Sequence, residues 1–93
     1  MNLGLEGKAA IVCASTRGLG RACAEALLAE GVHVVINGRD VRRTEHTAGE
    51  LLEQWPGQVI GIAGDVTEPE GRKALLAACP SPDILVNMRA SSA

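Results

Sequence analysis

Cys13-Ala14-Ser15-Thr16-Arg17-Gly18-Leu19-Gly20 stands between a β-branched apolar run and an alanine-rich segment of helical periodicity. Strand, glycine turn and helix in that order form a backbone cradle for phosphate. Glycines at 18 and 20 let main-chain N–H groups approach an anion with no side chain between. The helix behind them adds unpaired donors and partial positive charge. A glycine pattern alone is weak evidence, so the segments around it carry the argument.

Working outward, Lys8–Ala14 reads as a strand buried on both faces. From Gly18 to Glu30 the apolar positions Leu19, Cys23, Ala26 and Leu27 recur at helical spacing, and Gly31 is placed as a stop. Val32–Asn37 is a second strand. Asp40 has the chemistry of an N-cap for a polar helix to about Gln54, broken by Pro56-Gly57. Gln58–Ala63 is a third strand, ended by Gly64. Thr67 and Glu70 have capping-box spacing, with Pro69 tolerated in the first turn of a helix running to about Cys79. Asp83–Asn87, carrying Ile84-Leu85-Val86, is a fourth buried strand.

Regular alternation of strand and helix predicts an α/β fold, a Rossmann-type doubly wound parallel sheet of order 3-2-1-4 with right-handed crossovers. Ligand would then lie in the crevice at the carboxyl ends of the strands. Three groups follow the glycine turn into that crevice. Arg39, after Gly38 at the end of the second strand, supplies a guanidinium where an adenosine ribose would sit. It suits a 2′-phosphate, and Arg17 could close on the same phosphate; both also read as solvated surface arginines. Asp65 could accept from the adenine amino group while Val66 lines the base pocket, or it could serve as a loop aspartate capping the helix entered at Thr67. Asn87 ends the fourth strand and either ties neighbouring backbone together or is an ordinary strand-end asparagine.

These residues together resemble the N-terminal half of the short-chain dehydrogenase/reductase family. That family's pattern is Thr-Gly-x-x-x-Gly-x-Gly, a basic residue after the second strand in NADP-preferring members, Asp-Val after the third, and Asn-Asn-Ala-Gly after the fourth. Gly18, Gly20, Arg39, Asp65, Val66 and Asn87 match, while Cys13-Ala14 replaces the opening Thr-Gly. The resemblance implies NADP(H) as cofactor, held by Ser15, Thr16, Arg17, Gly18, Leu19, Gly20, Arg39, Asp65, Val66 and Asn87. It is similar in particular to the 3-oxoacyl-thioester reductases. Complete relatives would exchange hydride between nicotinamide and a carbonyl or alcohol, using a serine, a tyrosine and a lysine from their following half. This chain contains no tyrosine, so no catalytic residue is carried over and the chain alone is expected to be inactive.

The family pattern stops at Asn87, which sets 1–87 as a partial Rossmann domain and 88–93 as a tail outside it. Deleting one A from codons AAC-AAT-GCG-GGC changes Asn-Asn-Ala-Gly into Asn-Met-Arg-Ala, the order at Asn87, Met88, Arg89 and Ala90. A frameshift is therefore one expected origin of the tail.

Composition narrows the alternatives. Of 93 residues 46% are hydrophobic, enough for one packed core, and Trp55 is the single aromatic. Without stacking platforms, and with a formal charge of −2, the chain lacks the features of a nucleic-acid or anionic-membrane binder. No apolar run is long enough to span a bilayer and no signal-peptide pattern opens the chain. Cys13, Cys23 and Cys79, widely spaced in apolar segments, read as small hydrophobes of a cytoplasmic protein, and no metal-ligand spacing is present. His33, on the second strand, and His46, on the second helix, read as solvated or satisfied. Strand 83–87, left at an edge, invites self-association. Two rival functions remain: a non-catalytic nucleotide-binding or interaction module using that edge, and a doubly wound domain binding another anion.

Overall fold

In the computed structural model, residues 6–13 and 18–87 are described. Seven elements alternate: β1 (Ala9–Cys13), α1 (Gly18–Ala29), β2 (His33–Gly38), α2 (Val41–Gln54), β3 (Val59–Ala63), α3 (Pro69–Ala78) and β4 (Ile84–Asn87). The sheet is parallel, in the order β3-β2-β1-β4. The expected 3-2-1-4 architecture is thus the observed one. The tail at 88–93 and the turn at 14–17 lie outside the described residues.

β1 is the shared partner. Ala9 to Cys13 align with His33 to Asn37 on one side, and Ala10 to Cys13 with Ile84 to Asn87 on the other. Its sequence AAIVC has no polar side chain, as a strand covered on both faces requires. Successive residues point to opposite faces, so the four strands divide their apolar side chains between two clusters. Ala10, Val12, Val34, Ile36 and Val59 meet Ala24 and Leu28 of α1 and Leu51 of α2. Ile11, Cys13 and Val35 meet Leu75 and Cys79 beneath α3.

The helix boundaries show which local signals operate. α1 ends at a left-handed Gly31 (φ 83°). The Gly31 N–H bonds the Leu28 carbonyl at 3.0 Å and the Val32 N–H the Leu27 carbonyl at 3.2 Å, a Schellman closure. α2 begins as expected, with the Asp40 carboxylate accepting the Arg43 N–H at 2.9 Å. Trp55 caps its carboxyl end and packs on the first cluster. Asp83 locks β4 onto β1: its carboxylate accepts the Ala9 N–H at 2.9 Å, and its own N–H reaches the Ala9 carbonyl at 2.8 Å.

Two expectations need correction. The buried stripe of α1 is Gly20, Ala24 and Leu28; of the expected row Leu19, Cys23, Ala26 and Leu27, only Leu27 packs, half-buried, against the core cluster. Leu19 is 73% exposed. The inward face therefore carries two small residues at 20 and 24, with Leu28 as its one large apolar side chain. The Thr67–Glu70 capping box does not form. α3 starts at Pro69 with Glu68 as N-cap and no side-chain cap, because the Thr67 hydroxyl is taken up by Asp65.

Coverage of the two faces is unequal. α1 and α2 close one face, whereas among the described residues α3 alone covers the other, with Ile60 of β3 51% and Leu85 of β4 66% exposed. The three cysteines are free; Cys13 and Cys79 are buried and act as core residues.

Leu28 is 1% exposed at the centre of the better-closed cluster. Leu28→Ala is expected to lower unfolding free energy by about 2–5 kcal/mol, read as a lower midpoint at constant slope in urea titration.

Candidate functional site

Parallel register brings the carboxyl ends of all four strands to one edge. Cys13 lies beside Asn37 and Asn87, and Gly38 beside Ala63, so whatever follows each strand collects there. α1 opens at Gly18 with φ 64°, a left-handed conformation that a side chain would strain. An added Cβ there would meet nothing within 4 Å, so it is the backbone angle that calls for glycine. No acidic side chain occupies the first turn of α1, leaving the positive end of its dipole uncompensated. Gly20, two residues further on, is buried on the sheet-facing side.

Arg39 follows β2 with its side chain 78% exposed, and Asp65 follows β3 with 28% exposed. Arg39 Nε and Asp65 Oδ2 are 3.7 Å apart, bridging two adjacent strand ends. Asp65 Oδ1 accepts the Thr67 backbone N–H at 2.8 Å and the Thr67 hydroxyl at 2.6 Å. The Thr67 hydroxyl first, then its N–H, with the Arg39 charge adding to both, hold the Asp65 carboxyl below the usual aspartate range. These contacts of Asp65 lie within its own loop, and it does not cap α3, whose N-cap is Glu68 with no side-chain cap. Val66 packs against the second apolar cluster, and its carbonyl accepts from Arg72 Nη1 at 3.1 Å.

Two residues that build this corner carry no flag in the motifs. Asn37, 3% exposed at the end of β2, donates from Nδ2 to the carbonyls of Ile62 (3.0 Å) and Gly64 (3.1 Å). It pins the exit of β3 and so the backbone leading into Asp65. Buried amides are retained where their hydrogen bonds are satisfied, and the signal was a polar residue closing an otherwise apolar strand. Gly71, in the first turn of α3, is the second. An added Cβ would run into the Asp65 carbonyl oxygen, with the Asp65 carbonyl carbon 2.6 Å away. Only glycine lets α3 lie against that loop.

Of the predicted site residues, the described ones (Gly18, Leu19, Gly20, Arg39, Asp65, Val66 and the backbone of Asn87) gather at the carboxyl edge. Ser15, Thr16 and Arg17 lie outside the described residues. Burial in the second apolar cluster pushes the Cys13 thiol up, which makes it a poor nucleophile. His33 is exposed on β2, and His46 sits 3.5 Å from Glu50 on the outer face of α2. Among the described residues no group of three or more His, Cys, Asp or Glu could hold a metal ion, and no helix is long and apolar enough to cross a membrane.

The short chain dehydrogenase family profile matches residues 8–88, which takes in every element from β1 to β4. The chain belongs to the short-chain dehydrogenase family. An uncharacterized oxidoreductase, YvaG of Bacillus subtilis, is 43% identical over 88 residues, covering 94% of this chain and 33% of that protein. The 3-oxoacyl-[acyl-carrier-protein] reductase FabG of Aquifex aeolicus is 34% identical over 70 residues, covering 75% and 28%. The crystal structure of L-sorbose reductase from Gluconobacter frateurii, complexed with NADPH and L-sorbose, superposes with TM-score 0.88 at 35% identity. It covers all of this chain and 37% of that one. The chain therefore spans about a third of the length of the short-chain dehydrogenases it matches.

Gly71→Ala is expected to push the Asp65 loop off α3 at a cost of about 1–3 kcal/mol. The Thr67 amide should lose its hydrogen-bonded NMR shift and its protection from hydrogen exchange, while amides of β1 and β2 keep theirs.

Proposed function

We propose that this chain is the NADP(H)-binding portion of a short-chain dehydrogenase/reductase whose complete form moves hydride between nicotinamide and a carbonyl or alcohol. The observation that carries the reading is Arg39, an exposed guanidinium at the end of β2, on the edge where α1 opens with a left-handed Gly18. In a doubly wound sheet that strand end meets the adenosine ribose, and the first βα turn meets the pyrophosphate. Arg39 fits a 2′-phosphate, and Gly38 before it leaves room. Ser15, Thr16, Arg17, Gly18, Leu19 and Gly20 form the proposed pyrophosphate turn, Asp65 and Val66 the adenine side, and Asn87 the cleft wall beside β1.

The nicotinamide supplies the hydride chemistry when bound. The residues of this chain bind and orient the adenosine half. With no tyrosine in the sequence, no residue here fills the family's proton-donor role, and the 93-residue chain by itself is proposed to be inactive. The NADPH-bound L-sorbose reductase supports the cofactor assignment by likeness of fold and sequence.

A second reading follows from the sheet's edge. Among the described residues β4 pairs with β1 alone, and Leu85 is 66% exposed on the more open face. An apolar strand with one open edge is a template for another chain, so self-association through strand 83–87 is proposed alongside the binding role.

Calorimetric titration is expected to give tighter binding of NADP+ than NAD+, with Arg39→Asp lowering NADP+ affinity about tenfold or more and erasing the preference. An unchanged preference removes Arg39 from the site. Sedimentation velocity should show concentration-dependent dimers that Leu85→Lys disperses; a monodisperse monomer at all concentrations ends the edge reading.

A further inference from the structure

Asp65 uses its two oxygens differently. Oδ1 is occupied by the Thr67 N–H and hydroxyl, leaving Oδ2 as the oxygen within ion-pair distance of Arg39. The carboxylate has little freedom to swing away, because its loop is held from two sides. Asn37 bonds the Ile62 and Gly64 carbonyls just upstream, and α3 packs on the Asp65 backbone at Gly71. The other carboxylate near Arg39 in sequence, Asp40, is engaged with the Arg43 N–H as the cap of α2. A fixed anion therefore stands beside the cation that the NADP(H) reading assigns to a 2′-phosphate.

We infer that Asp65 sets the strength of preference for a 2′-phosphate over a 2′-hydroxyl, by holding the Arg39 guanidinium. This inference rests on the NADP(H) reading and adds a positioning residue to it. Two anions compete for one cation. A ligand with a 2′-phosphate must draw Arg39 from Asp65 or share it, whereas a ligand with a 2′-hydroxyl leaves the pair intact. The pair thus subtracts from binding of the phosphorylated ligand alone. Any contact of Asp65 with the adenine ring acts on both ligands alike and cancels in their ratio.

The test is the ratio of dissociation constants for adenosine 5′-monophosphate and adenosine 2′,5′-bisphosphate, measured by calorimetry on the full 93-residue chain. The wild type is expected to favour the bisphosphate. Asp65→Asn keeps an acceptor for Thr67 but removes the charge, and should raise the ratio about two- to fivefold, the range of an exposed ion pair. Asp65→Ser, which also keeps a short acceptor, should raise it likewise and stands in if the first variant folds poorly. In an Arg39→Gln background, Asp65→Asn should leave the ratio where Arg39→Gln alone puts it. An unchanged or lower ratio in both Asp65 variants overturns the inference and leaves the NADP(H) reading standing. An equal rise without Arg39 also overturns it, since Asp65 would then act by repelling the phosphate directly. A wild type that does not distinguish the two ligands, or binds neither, overturns the NADP(H) reading and the inference with it.

Discussion

Parallel pairing of β2 and β4 on the two sides of β1 is the constraint from which the other features follow. β1 is flanked by a strand on each side, and its side chains alternate into two apolar clusters. Since every strand runs the same way, every strand-to-helix loop leaves from the same edge. Gly18, Arg39, Asp65 and Asn87 therefore lie along one edge of the sheet although they span most of the sequence. Reversing one strand would send its loop to the far edge and dismantle the cleft.

The corner after β3 depends on contacts that join separate elements. The buried Asn37 amide satisfies two carbonyls that the sheet has released at its end, and Gly71 admits backbone-to-backbone packing between α3 and the loop. Thr67 then orients one carboxylate oxygen of Asp65 and leaves the other to Arg39. The loop is short and half-buried, and its position follows from the sheet and α3 together with the Asp65–Thr67 hydrogen bonds within it. Arg21 plays a similar joining role on the outer surface: its Nη1 reaches Glu50 Oε1 at 2.7 Å, linking α1 to α2. That hydrogen bond is the first cause of a lowered Glu50 carboxyl, and His46 and the Arg21 charge act in the same sense.

The two sheet faces differ in how far burial has gone. The face under α1 and α2 holds Leu28, Ile36 and Leu51 almost without exposure, while α3 cannot span four strands and leaves Ile60 and Leu85 in contact with solvent. Stability is accordingly concentrated in the first cluster, and the edge at β4 is where apolar surface is available to another chain.

The sequence by itself determined the elements, their order and the sheet topology. A buried parallel strand requires an unbroken apolar run, a helix end requires a cap or a left-handed glycine, and both leave local marks at β1, Asp40 and Gly31. It also determined which loops meet at the cleft, because crossover connections fix strand direction. Tertiary structure decided what side chains do once they arrive. It turned Gly20, Ala24 and Leu28 inward and left Leu19 73% exposed. It drew Thr67 away from a capping box into the grasp of Asp65, and it gave Asn37 and Gly71 their work. Those outcomes depend on distances between elements remote in sequence, and no local pattern encodes such a distance.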